Sequence, residues 1–306
     1  MTSVLRQDGG ENWIMFNGDC VELSKGLDDN SIDYSISSPP FADLYCYSDS
    51  ERDMGNCRNY DEFFIQYGFL INELYRVIKP GRNVSIHCMN IPAMKERDGF
   101  IGIKDFRGDI IRAFQKAGFI YHAEAVIWKD PLIEAVRTKA LGLMHKQLCK
   151  DSLMCRQGLP DYIVTMRKPG TNKDPVDHPK GLTDFAGDGE IDEGTFSHNV
   201  WRKYASPVWM DIRQTHTLNR TSAREEADEK HVCPLQLDSI ERCVELWSKE
   251  GDVILSPFAG IGSEGYQAVK MGRKFIGFEL KESYYNQAVK NLTAIETAPK
   301  QMEMFT

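Results

Sequence analysis

The residues best suited to chemistry lie in one short run, Ile36-Ser37-Ser38-Pro39-Pro40-Phe41. The segment before it, Ser31-Ile32-Asp33-Tyr34-Ser35, alternates apolar and polar side chains and reads as a strand. Two successive prolines lack N–H donors and hold the backbone extended, so the strand must stop at Ser38. That leaves a stiff loop at the carboxyl end of a strand, the edge where ligands bind in open α/β sheets. The loop offers the Ser38 hydroxyl, prolyl carbonyls without competing N–H groups, and the flat face of Phe41. An exocyclic amino group on a nucleobase needs two acceptors and a stacking surface, and this loop has both. The same residues would also suit a proline-stiffened turn capped by a core phenylalanine.

A second run with chemical potential begins at Asp252 and passes through Ser256-Pro257-Phe258-Ala259-Gly260-Ile261-Gly262-Ser263-Glu264-Gly265. It reads as a strand, a tight glycine turn that lets backbone approach a ligand, and a helix start. Gly260, Gly262 and Gly265 match the dinucleotide pattern G-x-G-x-x-G. The next strand ends at Glu279, nineteen residues after Gly260, where a carboxylate can accept hydrogen bonds from both hydroxyls of a ribose. NAD and S-adenosylmethionine both carry such a ribose. Only 27 residues follow Glu279, too few to build the strands that hold a nicotinamide half. Pro257-Phe258 also wedges the turn open, which suits a ligand without pyrophosphate.

The elements that must position these two loops are strands alternating with helices. Val21–Leu27 suits one or two helical turns, and residues 1–14 read as a polar, poorly tied arm. Apolar residues at 63, 64, 67, 70, 71, 74, 77 and 78 predict a helix over Tyr60–Ile78, ended by Lys79-Pro80-Gly81. Strands are predicted over Asn83–Met89, His122–Trp128 and Asp161–Met166, with a helix over Asp105–Ala117 stopped by Gly118. From 232 come a helix to about Lys249, strand Asp252–Leu255, a helix after Gly262, strand Lys274–Phe278 and a last helix from Glu282 to about 296. Such alternation implies a mostly parallel sheet with helices on both faces. Asp43–Asn59 is a long polar and aromatic loop, and 170–200 has no periodicity and marks a linker or insertion.

The chain has 306 residues, 42% hydrophobic and 27% charged, the profile of a globular protein with ample core. There is no apolar run of membrane-spanning length and no signal-peptide core, so a cytoplasmic protein with no membrane partner is expected. The eight cysteines form no Cys-x-x-Cys pair, which points to reduced thiols rather than disulfides or zinc. The net charge of −8 is unevenly spread: 137–168 carries seven basic residues against two acidic, and 202–224 five against one. Such patches are the footprint of a phosphate-binding surface, or else solvated faces.

Taken together, Ser38-Pro39-Pro40-Phe41 early and Pro257-Phe258-Ala259-Gly260-Ile261-Gly262 late resemble the two signatures of amino-group DNA methyltransferases, which methylate cytosine N4 or adenine N6. The order, catalytic loop first and cofactor loop near the C-terminus, resembles their permuted β class. Asn17-Gly18-Asp19, Glu73–Gly81, Val126–Lys129 and His231–Gln236 fall in family order between and around them. The resemblance implies a Rossmann-like S-adenosylmethionine-dependent methyltransferase fold. Residues 1–130 would form its catalytic half, 131–230 a target-recognition region with a return strand near 161–166, and 231–306 the cofactor half.

It further implies that Ser38 and the Pro39 carbonyl hold the target amino group, in a loop stiffened by Pro40, while Phe41 stacks on a flipped base. Asp19, with Cys20 beside it, would face the cofactor adenine and Glu279 its ribose. Phe258, Gly260 and Gly262 would line the cofactor pocket with Ser256, Pro257 and Ser263, and His231 and Pro234 would sit by the methionine end. Double-stranded DNA is the implied partner, with a homodimer and a separately acting cognate restriction endonuclease as further expectations. Two departures stand out: Ser256 replaces the aspartate that usually opens the cofactor loop, and His231-Val232-Cys233-Pro234-Leu235-Gln236 lacks two prolines of the family pattern. Serine at 38 with Phe41 resembles the cytosine-N4 enzymes more than the adenine-N6 ones. A dinucleotide-dependent oxidoreductase and a non-catalytic DNA-binding protein are the rival readings.

Overall fold

Asp33 breaks the apolar run of its strand, and in the computed structural model of the chain it is tied into the strand neighbours. The structure describes residues 4–42, 53–93, 95–133, 158–177, 201–219 and 234–298. In chain order these form β1 (Arg6–Gly9), β2 (Trp13–Asn17), α1 (Cys20–Ser24), β3 (Ile32–Ser37), α2 (Tyr60–Val77), β4 (Ile78–Met89) and β5 (Ile91–Ala93). Next come α3 (Lys95–Asp98), β6 (Gly102–Lys104), α4 (Phe106–Lys116), β7 (Ile120–Ile127), β8 (Asp161–Arg167) and β9 (Val208–Trp209). The C-terminal elements are α5 (Leu237–Trp247), β10 (Val253–Ser256), α6 (Ser263–Lys270), β11 (Lys274–Glu279) and α7 (Glu282–Thr297).

The main sheet runs β1-β2-β11-β10-β3-β4-β8-β7-β9. Its centre, β2-β11-β10-β3-β4, is parallel, while β8 runs antiparallel to both β4 and β7. Every residue of β3 is buried, as expected of a central parallel strand covered on both faces. One face is covered by α2 and α4 through Phe63, Tyr67, Phe106 and Phe114; the other by α5, α6 and α7 through Ile240, Ala268, Tyr285 and Leu292. Along β10 the side chains alternate between these two cores, Leu255 into the first and Ile254 into the second.

Late strand β10 pairs directly with early strand β3, Ile254 opposite Tyr34 and Leu255 opposite Ser35. This one pairing brings the carboxyl ends of the two strands, and the loops of interest that follow them, to the same edge. Asp33 fixes the opposite end. Its carboxylate accepts from Lys79 Nζ at 2.6 Å and from the Val253 N–H at 3.0 Å, and lies 3.2 Å from the buried Arg82 guanidinium, which also bonds Asp252. Three strands, β3, β4 and β10, are thereby cross-linked in register.

The expectation of a loose arm over residues 1–14 does not hold for its described part. From Arg6 the chain forms a hairpin with β2, which pairs in parallel with β11. Trp13 and Met15 are buried, and the Trp13 indole donates to Glu296 at 3.2 Å. The polar composition conceals a strand whose buried residues sit at every second position. Elsewhere the boundaries differ little from expectation. β4 starts at Ile78 rather than Asn83, running on directly from the helix, and α5 starts at Leu237, after Pro234 rather than at 232. Gly118, with φ of +103°, follows α4 as the sequence required.

Candidate active site

The edge of the sheet formed by the carboxyl ends of β3, β4, β10 and β11 opens into a cavity of about 490 Å³, within the range of small-molecule sites. β3 ends at Ser37, and Ser38-Pro39-Pro40-Phe41 lines one side. The turn is completed by Ala42, a buried non-glycine residue at φ +49°, a conformation held only where the surroundings enforce it. Phe41 packs edge-on against His87 and Phe106, with ring centroids 6.5 and 6.0 Å away.

The sheet order sets what Ser38 meets. β4 lies beside β3 and brings His87, whose Nδ1 is 3.0 Å from the Ser38 hydroxyl. β8 runs antiparallel to β4, so its first residue, Asp161, reaches the same edge, with Oδ2 3.2 Å from His87 Nε2. β7 is next, and Lys129 just beyond its end places Nζ 2.6 Å from Asp161 Oδ1. Burial alone would raise the Asp161 carboxyl, but the Lys129 ammonium and the His87 ring facing it hold it below the usual carboxylate range. An ionised Asp161 facing Nε2 selects the imidazole tautomer with hydrogen there, leaving the Nδ1 lone pair to accept the Ser38 O–H. His87, Asp161 and Lys129 come from separate strands with no sequence spacing to link them, and only the sheet order shows their relation.

The loop after β10 and the end of β11 line the same cavity. Pro257, Phe258, Gly260 and Ser263 line it, as do Asp19, Cys20 and Pro234. Gly260 has φ of +53°, and a Cβ there would point into open space, so a ligand can lie against its backbone. Glu279 Oε2 accepts the Gly260 N–H and Oε1 the Lys281 N–H, both at 2.8 Å, which locks the carboxyl to the turn while leaving lone pairs for a ligand. Its burial raises it to about 7 against the pull of those backbone donors. Asp19 also caps α1, accepting from the Glu22 N–H at 2.9 Å. The Cys20 thiol is pushed up by burial and is no nucleophile.

Two expected residues are not at the cavity. Ser256 is fully buried at the end of β10, its hydroxyl without a hydrogen-bond partner among the described residues. Gly262 faces away: at φ +84°, a Cβ there would come within 3.1 Å of the Ala288 Cβ, so this glycine permits α6 and α7 to pack. His231 lies outside the described residues. Several bases of the two positive clusters do as well, and those described are partly engaged. Lys168 is a buried strut donating to Asn30 and the Ile78 carbonyl at 2.8 Å, and Arg213 is held bidentate by Asp238.

The cavity is acid-rich. Asp19, Asp53, Asp161, Glu264 and Glu279 line it against Lys129 and Lys281, and Lys129 is already paired with Asp161. Such a lining favours a ligand with positive charge and disfavours a pyrophosphate.

The fold and this edge define a methyltransferase of the Rossmann-like class. A family model described as DNA methylase, covering N6 and N4 enzymes, matches residues 32–290, and the chain belongs to that family. It is 26% identical over 273 residues to the type II methyltransferase M.BamHI of Bacillus amyloliquefaciens, covering 87% of this chain and 54% of that protein. The chain thus spans about half of M.BamHI. TTHA0409 of Thermus thermophilus, complexed with S-adenosyl-L-methionine, superposes with a TM-score of 0.63 at 20% identity, covering 92% of this chain and 95% of that one. The cytosine-N4-specific PvuII DNA methyltransferase superposes at 0.62 with 16% identity, over 94% and 92%.

Proposed function

We propose that the chain transfers a methyl group from S-adenosylmethionine to the exocyclic amino group of a base flipped out of duplex DNA, with cytosine N4 as the acceptor. The observation that carries this reading is Ser38, hydrogen-bonded to His87, lining a single cavity with Gly260 and Glu279. The cofactor residues fit such a ligand: a glycine backbone open to the cavity, a backbone-anchored carboxylate for a ribose, and an acid-rich wall for a cation. S-adenosylmethionine would supply the methyl group as an electrophile on a sulfonium.

An exocyclic amino lone pair is delocalised into its ring and must be recovered before it can attack. The Ser38 hydroxyl gives its hydrogen to His87 Nδ1, so its oxygen lone pairs are free to accept one amino N–H. The Pro39 carbonyl, which no N–H of Pro40 contests, accepts the other. Drawing both hydrogens down makes the nitrogen more tetrahedral and concentrates its lone pair on the opposite side. Phe41 stacks on the base and offsets part of the few kcal/mol that flipping costs. Serine is a poor base, so no proton leaves before transfer. Afterwards the surplus amine proton moves to Ser38 Oγ as the Ser38 hydrogen passes to His87 Nδ1, and ionised Asp161 stabilises the imidazolium. Positioning and electrostatics supply the acceleration without a covalent intermediate.

Serine at 38 followed by Phe41 supports cytosine N4 over adenine N6. Residues 131–230 are assigned here to target recognition, and a cognate endonuclease acting separately accords with the type II relatives. The test incubates the full chain with S-adenosylmethionine and duplex DNA, then applies sequencing that separates N4-methylcytosine from N6-methyladenine. N4-methylcytosine within a short fixed sequence is the expected product. N6-methyladenine would overturn the choice of base, and unmodified DNA despite bound cofactor would overturn the substrate.

A further inference from the structure

Glu264 is unexplained by the chemistry above. It sits in the first turn of α6, it is 4% exposed, and it lines the cavity. Among the described residues no side chain donates a hydrogen bond or contributes an ion pair to its carboxyl; its own backbone N–H is the donor that opposes its burial. A lone buried carboxyl is costly as an anion, and proteins keep one where a cation or donor completes it. Three more polar atoms of the cavity lining are also buried with no hydrogen-bond partner among the described residues: Gln214 Oε1, Gln236 Oε1 and Ser263 Oγ. Together they are a carboxyl, two amide carbonyls and a hydroxyl, nearly all acceptors.

That set matches a cation that carries N–H donors. A sulfonium has no N–H to donate to such acceptors, whereas an α-ammonium has three donors to place. We infer that Glu264, with the Gln236 and Gln214 carbonyls lining the same cavity, binds the α-ammonium of the methionyl end of S-adenosylmethionine. The inference rests on the cavity being the cofactor site. Ser256, the residue expected to contribute at this loop, is withdrawn into the core and carries no charge, so α6 provides the anion that the loop does not.

Glu279, from the end of β11, repels Glu264 directly; Asp19, Asp53, the paired Asp161 and Lys129, and Lys281 share the cavity. Burial, with Glu279 adding to it, raises the Glu264 carboxyl to about 8, so without ligand it is largely protonated at neutral pH. Pairing with an ammonium must then expel that proton. Binding and proton release are coupled at this residue.

Isothermal titration calorimetry on the full chain tests this with three ligands: S-adenosylmethionine, S-adenosylhomocysteine, and 5′-methylthioadenosine, which lacks the ammonium. Glu264→Gln is isosteric with the protonated carboxyl and preserves the fold. It should weaken the first two ligands by about tenfold or more, as loss of a charge-assisted contact does, and leave methylthioadenosine unchanged. Titration at pH 7 in buffers of different ionisation enthalpy should show close to one proton released on S-adenosylhomocysteine binding by the parent chain, and none by the variant. Equal weakening of all three ligands, or of none, would overturn the assignment. Weakening of S-adenosylmethionine alone would move the contact to the sulfonium and overturn the ammonium. If the parent chain binds none of the three, the cofactor reading itself falls, a result distinct from any of these.

Discussion

A serine hydroxyl neither attracts protons strongly nor attacks readily, and what distinguishes Ser38 is the direction in which its hydrogen is held. With that hydrogen committed to His87 Nδ1 at 3.0 Å, the oxygen is an acceptor toward the cavity. Ser38→Ala removes the acceptor and should lower methyl transfer by roughly 10²- to 10⁴-fold, the usual worth of a positioned proton-transfer group, with cofactor affinity unchanged by calorimetry. His87→Gln acts through Ser38. It should lower kcat by about ten- to a hundredfold while KM for DNA stays near the parent value. A loss in KM alone would assign His87 to base binding instead. Neither partner is conspicuous in the sequence: His87 is one polar residue inside a strand, and Asp161 opens another.

At the scale of elements, the site depends on three parallel strands ending at the same level. The buried Arg82 guanidinium, with Asp33 and Asp252 around it, fixes that level from the far end of the sheet. Asp33→Ala would strip one carboxylate from a guanidinium that is 2% exposed, leave the Val253 N–H without its acceptor, and release Lys79. Removing one member of a buried ion pair costs about 3–5 kcal/mol, and urea unfolding should show a loss of that order. The helices and most strands are legible in the amino-acid order itself. Helix periodicity over 60–78 and the glycine after α4 are local signals whose physics acts within a few residues, whereas Pro80-Gly81, expected to stop the helix, lies inside β4, which begins at Ile78. The hairpin of β1 and β2 is not legible there, because pairing with β11 near the other end of the chain is what makes Trp13 and Met15 core residues.

Across the whole molecule, titration links the cavity to stability. Glu264 and Glu279, at about 8 and about 7, lie above an ordinary carboxylate, so the folded state holds their protons more tightly than the unfolded chain does. Their contribution is therefore complete below the ordinary carboxylate range, near pH 4.5, and is lost as pH rises through 7 and 8. The slope is at most about 1.4 kcal/mol per pH unit for each group. Urea midpoints of the ligand-free chain should fall from about pH 5.5 to about pH 8.5, and Glu264→Gln should fall less steeply over the same range. A parent chain equally stable at both ends would contradict the burial of these carboxyls.

Charge belongs to this scale too. The sequence holds two basic clusters, but Lys168 is spent inside the fold and Arg213 is held by Asp238, so counting charges overstates the surface available to phosphate. By itself the sequence determined the central strands, the longer helices, the proline-stiffened serine loop and the glycine turn with its distant glutamate. Each of these follows from backbone restriction and periodicity within a short window. Tertiary structure alone decided which strand lies beside which. That order set His87, Asp161 and Lys129 in a row behind Ser38, buried Ser256 and turned Glu264 into the cavity, because contacts between remote strands are governed by sheet order and core packing, which no local spacing encodes.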